Sequence, residues 1–196
     1  MSKNTPAVAL ADLDAQALST HGTLVADLPS ALLPPVDRWA VAWTKPRCEH
    51  CVEEYFKRLH VSCFLPLISR RQIYKSGVKH WTSPLFSGYI FYDQDQLERH
   101  RIFESRKVVD ILIPPDPGAL GRELFQIALA LEHDSALREA RFGQKGRPVS
   151  VTRGPMKGLQ GELVRMGSNS HLVLRVNFLG KAAELVIDES CVEPLL

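Results

Sequence analysis

From Arg147 onward the chain is patterned as short strands and glycine turns. In "RPVSVTRGPMKGLQGELVRMGSNSHLVLRVNFLGKAAELVIDESCVEPL" apolar and polar residues alternate, and glycines at 154, 158, 161, 167 and 180 interrupt the alternation every few residues. Leu172, Leu174, Val176 and Phe178 fall on one side of a period-two segment. Short strands of this kind bury their apolar faces only by packing sheet on sheet, so the pattern predicts a small five-stranded barrel. Gly154-Pro155, followed by Gly158 and Gly161, marks a turn whose backbone must take positive φ or pass close to its neighbour.

Upstream the patterning is of another kind. "RWAVAW" alternates as a strand, and behind Pro46 the residues Cys48, Cys51, Val52, Tyr55, Phe56 and Leu59 follow a helical spacing with charged residues between them. "HVSCFLPL" predicts a strand, residues 68–83 a long hairpin turning at Ser76-Gly77, and "LFSGYIFY" the next strand. A short helix over "DQLERHRIFES", a strand "KVVDILI" and a helix begun by Asp116-Pro117 complete an α+β sheet unit. The charged stretch "DSALREARFGQKG" loses every apolar period and predicts a linker at 134–146. Residues 1–37 lack aromatics and end in "LLPPVD", which predicts a disordered tail; Leu10, Leu13 and Leu18 leave a short docked helix as the alternative.

Composition narrows the function classes. A net charge of +2 means that contact with nucleic acid must come from local clusters of Lys and Arg. Arg70, Arg71, Lys75 and Lys79 form one such cluster on the expected hairpin, with no acid among them, beside His80 and Trp81. A basic hairpin reaches phosphates; a solvated edge guarded by lysines is the plainer reading. Four cysteines in 196 residues do not make a secreted disulfide framework and suit a reducing cytoplasm. No apolar run approaches a membrane span and the N-terminus lacks the apolar core of a signal peptide, so no membrane partner is expected. Cys48, Cys51, His60 and Cys63 have zinc-like spacing, yet both first cysteines already fit the apolar helix stripe; no metal or other cofactor is expected. No phosphate loop, nucleophile elbow or carboxylate pair is present, and the chain is not expected to be an enzyme.

Taken in order, "WAVAWTKPRCEHCVEEYF", "FLPL", "PLFSGYIF" and "GRPVSVTRGPMKGLQGELV" resemble the NusG family of transcription factors, with an NGN domain at 38–133 and an SH3-like KOW barrel at 147–196. The tail, the linker region and the "TKPR" opening look more like the specialised RfaH-like antiterminators of polysaccharide operons. The resemblance implies a cytoplasmic, monomeric bacterial elongation factor whose NGN domain binds the clamp helices of the largest RNA polymerase subunit and suppresses pausing or termination. It implies that Phe86, Tyr89 and Phe91 form the polymerase-facing patch, although aromatics in that stretch also suit a core. Tyr89 and Phe91, two apart on a strand, share one face.

By the same resemblance Lys45 and Arg47, together with Arg70, Arg71, Lys75 and Lys79, face non-template DNA. Met156 stands where relatives carry an aromatic that helps bind a small-subunit ribosomal protein or Rho. Ser87 replaces the family's usual proline, and "ERHR" at 98–101 does not keep the second polymerase contact of RfaH-like proteins. The remaining alternative is a KOW-type RNA-binding or ribosome-associated protein with no action on polymerase.

Overall fold

The computed structural model describes residues 37–74, 77–133, 137–140 and 145–195. The expected disordered tail, save Asp37, lies outside the described residues. Strand β1 (Trp39–Thr44) is central in a four-stranded sheet, flanked by β5 (Tyr89–Asp93) and β6 (Val108–Leu112), with β2 (Cys63–Phe64) beyond β5. Pairing of Val41 with Phe91 and of Ala42 with Ile90 sorts the side chains onto two faces.

One face is nearly flat at β1, where Ala40 and Ala42 leave room for helix α1 (Glu49–Arg58) to bring Val52 and Phe56 against Ile90 and Tyr92. Helix α2 (Arg99–Glu104) adds Ile102 to the same cluster. Acidic Glu49 in the first turn and Lys57 and Arg58 in the last suit the dipole of α1. The helix ends with His60 at φ +57°, while Val61 N–H donates to Phe56 O at 3.0 Å and His60 N–H to Lys57 O at 3.1 Å. That is a Schellman stop with histidine where glycine is usual.

The opposite face carries Trp39, Val41 and Phe91 and packs toward helix α3 (Pro117–His133), whose start is capped by Asp116 Oδ1 accepting Ala119 N–H at 2.8 Å. Leu120, Leu124 and Ile127 of α3 belong to a cluster that continues into the second sheet through Val149, Leu172, Val176 and Leu185. Glu123 accepts from the Asn177 backbone N–H at 3.1 Å and its Nδ2 at 2.6 Å, and Gln126 Oε1 accepts Gln160 N–H at 2.8 Å. The two units, patterned so differently in sequence, share one core.

The second sheet is antiparallel, in the order β12 (Val192–Pro194), β8 (Arg147–Val151), β9 (Gln160–Met166), β10 (Asn169–Val176), β11 (Lys181–Ile187), β7 (Arg138–Ala140). Among the described residues no ladder joins β12 to β7, so this is an open sheet of six strands in place of the closed five-stranded barrel expected. The sixth strand, β7, comes from the stretch expected as a linker. It holds its place through ion pairs, Arg138 Nε to Glu184 Oε1 at 2.7 Å and Lys181 Nζ to Glu139 Oε1 at 2.9 Å, which cover the edge of β11.

Hairpin β3 (Leu67–Tyr74) and β4 (Gly77–Pro84) forms a separate two-stranded ribbon. The strand expected over "LFSGYIFY" starts late, at Tyr89, because Gly88 takes φ +86° and turns residues 85–88 out of the extended conformation. Among the described residues no helix is long and apolar enough to cross a membrane.

Candidate functional site

Gly88 organises one end of the four-stranded sheet. Its N–H donates to Oε1 of the buried Glu49 at 2.7 Å, and its carbonyl accepts Thr44 N–H at 2.8 Å, so the start of α1, the end of β1 and the start of β5 are tied at one residue. Trp43 lies beside it, its ring 3.7 Å from where a Gly88 Cβ would be, and pairs across the sheet with Tyr89. Trp43 is 44% exposed and Tyr89 is half-buried.

The other two aromatics of the expected patch lie deeper. Phe91 and Phe86 are wholly buried, their rings edge to face at 6.5 Å, and Phe64 stands 6.4 Å from Phe91. In this arrangement Phe86 and Phe91 are core, sealed because the Val41–Phe91 face meets the cluster that includes α3. Trp43 was not singled out from sequence. Its signal was available: on the Trp39–Val41–Trp43 face it is the residue next to the strand's end, where cover runs out.

Lys45 and Arg47 are both exposed, in the turn that links β1 to α1. Lys45 N–H donates to Lys107 O at 2.8 Å, which brings the exposed Arg106 and Lys107 to the same end of the sheet. Arg47 and Arg106 both have positive φ, +61° and +56°. Sequence reasoning missed this second pair because its proximity depends on β1–β6 pairing across more than sixty positions.

Arg70, Arg71 and Lys79 are exposed on the ribbon, and Lys75 lies outside the described residues. Arg70 is opposite Trp81, Arg71 opposite His80 and Gln72 opposite Lys79. Met156 is half-buried against the main cluster, in a loop closed by Gly158 N–H donating to Val151 O at 2.9 Å and Leu159 N–H to Met156 O at 3.1 Å.

The cysteine spacing gains no geometry that would hold a metal. Among the described residues no three His, Cys, Asp or Glu side chains come together as ligands. Burial, with Glu53 nearby, pushes the Cys63 thiol up to about 11, which keeps it a neutral thiol near pH 7. Burial likewise raises the Tyr92 hydroxyl to about 12 on the α1 side of the sheet.

The four-stranded sheet, α1, α2 and the aromatic corner fall within a region that resembles a known family. Residues 37–127, just under half the chain, match the family model described as NusG, transcription termination factor nusG. Among solved structures, the chain is similar to one titled "Domain interaction in Thermotoga maritima NusG", at 15% identity and a TM-score of 0.46, covering 81% of this chain and 97% of that one. A second likeness is to "Crystal Structure of MjSpt4:Spt5 complex conformation B", at 13% identity and a TM-score of 0.24, covering 80% of this chain and 96% of that one. The likeness to NusG rests on the family match alone. No curated protein matches the chain.

Proposed function

We propose that this chain is a NusG-type transcription elongation factor that binds RNA polymerase through the aromatic corner of its four-stranded sheet. The observation that carries the reading is the match of residues 37–127 to the NusG family model, a region that encloses that corner. Trp43 and Tyr89 supply the exposed contact, and Phe86 and Phe91, packed behind them, hold the corner rigid. The partner surface is the clamp helices of the largest polymerase subunit. Binding tighter to the closed clamp than to the paused one shifts the population toward elongation, which is antitermination in the manner of an RfaH-like factor.

Lys45, Arg47 and the basic ribbon then face non-template DNA. The second sheet, as a KOW domain, recruits a small-subunit ribosomal protein or Rho at the loop that contains Met156. The test is a pull-down of reconstituted elongation complexes by the purified chain. Retention above a control lacking polymerase supports the reading, and absence of retention removes it.

A further inference from the structure

Helix α1 begins with two cysteines in one turn. Cys48 is its N-cap and Cys51 lies three residues on; Val52 N–H donates to Cys48 O at 3.0 Å, so helical spacing already holds from Cys48 onward. Both are free thiols. The apolar stripe expected to absorb them does not, since α1 buries Glu49, Val52 and Phe56 while Cys51 is exposed and Cys48 half-buried. Capping does not account for Cys48 either, because its side chain makes no cap hydrogen bond where a serine or aspartate would. At the exposed position of Cys51, cysteine is a poor helix former. What remains for the pair is its chemistry.

We propose that Cys48 and Cys51 are a reversible dithiol–disulfide site, oxidised by a low-molecular-weight disulfide, whose closure loosens the aromatic corner. Residues three apart on a helix have Cβ atoms about 5–6 Å apart, whereas a disulfide needs about 3.5–4.5 Å. Closure therefore draws the first turn in by about 1–2 Å, and a bond formed under that tension and close to solvent is readily reduced again. Cys63, its thiol raised to about 11 by burial, stays neutral near pH 7 and does not compete. Cys191 belongs to the short turn before β12 in the second sheet.

The exchange balances in two steps. Cys51 Sγ, on the exposed residue, attacks one sulfur of the small disulfide, forming a mixed disulfide and releasing one small thiol that carries the proton Cys51 gives up. Cys48 Sγ then attacks Cys51 Sγ, forming the Cys48–Cys51 bond, and the second small thiol leaves with the proton from Cys48. Two protein thiols are oxidised and one disulfide is reduced to two thiols. The exposed Lys45 and Arg47, with Arg106 and Lys107 at the same end of the sheet, favour an anionic reagent such as oxidised glutathione.

Glu49 carries the change to the corner. It lies between the two cysteines, and its Oε1 accepts the Gly88 N–H at 2.7 Å. Gly88 in turn stands against the Trp43 ring. Drawing in the turn moves Glu49 with it and lengthens that bond, whether or not the corner binds polymerase.

The experiment equilibrates the full chain with mixtures of reduced and oxidised glutathione, blocks the remaining thiols by alkylation and reads the products by intact and peptide mass spectrometry. The wild type is expected to lose two hydrogens, with the bond mapped to Cys48–Cys51, and to regain them in excess reduced glutathione. Cys48→Ser, which removes the resolving thiol and supplies a good cap, should instead keep one glutathione on Cys51. In nitrogen-15-labelled protein the Gly88 amide should exchange with solvent at least about tenfold faster in the oxidised form, because a hydrogen bond to a carboxylate has been lost. Far-ultraviolet dichroism of the two wild-type forms separates this local opening from general unfolding, and no readout requires polymerase. The proposal is overturned by no intramolecular bond at any glutathione ratio, by a bond to Cys63 or Cys191, by wild type that holds a glutathione on each of Cys48 and Cys51, or by a bond that reduced glutathione does not reverse. Equal Gly88 exchange in both forms, or loss of dichroism on oxidation, overturns it as well.

Discussion

Replacing Phe91 by alanine separates a core role from a surface one. The ring is wholly buried, edge to face with Phe86 and 6.4 Å from Phe64, and it faces the cluster shared with α3 and the second sheet. An aromatic side chain that buries about 150–250 Å² at roughly 25 cal/mol per Å² contributes about 4–6 kcal/mol by area. Measured Phe-to-Ala costs in cores run about 3–5 kcal/mol, because neighbours relax only in part around the cavity. In a chain of this size each kcal/mol lowers Tm by about 2–4 °C, so Phe91→Ala should melt at least about 6 °C below the wild type. Urea unfolding at 25 °C, followed by far-ultraviolet dichroism, measures the loss directly. Tyr89→Ala, at the half-exposed end of the same strand face, should cost about 1 kcal/mol. A Phe91→Ala loss below about 1 kcal/mol would refute the packing described for that face.

The Glu162–Arg175 pair should shape the acid limb of stability. Arg175 Nε and Nη2 reach the two carboxylate oxygens at 2.7 and 2.9 Å, and those bonds, with Gly146 N–H, hold the Glu162 carboxyl below the usual glutamate range. Its contribution is therefore complete above the ordinary glutamate pKa and is lost as pH falls through the lower folded value. Glu162→Gln should cost about 1.5–3 kcal/mol near neutral pH and flatten that limb, as read by denaturant midpoints across pH. Gly88→Ala meets only ordinary contact with Trp43 but must keep φ +86°, so it should cost about 1–2 kcal/mol, measured by thermal melts.

Periodicity reveals β1, α1, α3 and the strands of the second sheet, because each has one face marked by its apolar spacing, whereas the ribbon is legible from its Ser76-Gly77 turn signal. Where β5 starts is hidden, since a glycine inside an alternating run reads as part of the strand until its φ is known. The extra strand β7 is hidden for another reason: Arg138 and Glu139 are held by partners at 184 and 181, and a charged tripeptide carries no pattern of its own. The candidate site was legible in part. Tyr89 and the basic residues at 45, 47, 70, 71 and 79 are exposed or half-exposed, whereas Phe86 and Phe91 are enclosed by elements remote in sequence. Trp43 and Lys107 join the corner only through pairing of β1 with β5 and β6.

Affinity of the purified chain for reconstituted RNA polymerase elongation complexes, compared with that of Trp43→Ala/Tyr89→Ala after urea unfolding shows the double variant folded, tests the central claim. The account predicts binding by the wild type and a loss of at least about tenfold in the folded variant, since each anchoring aromatic is worth on the order of 1–2 kcal/mol or more. Equal affinity of the two proteins, or no binding by either, would contradict it.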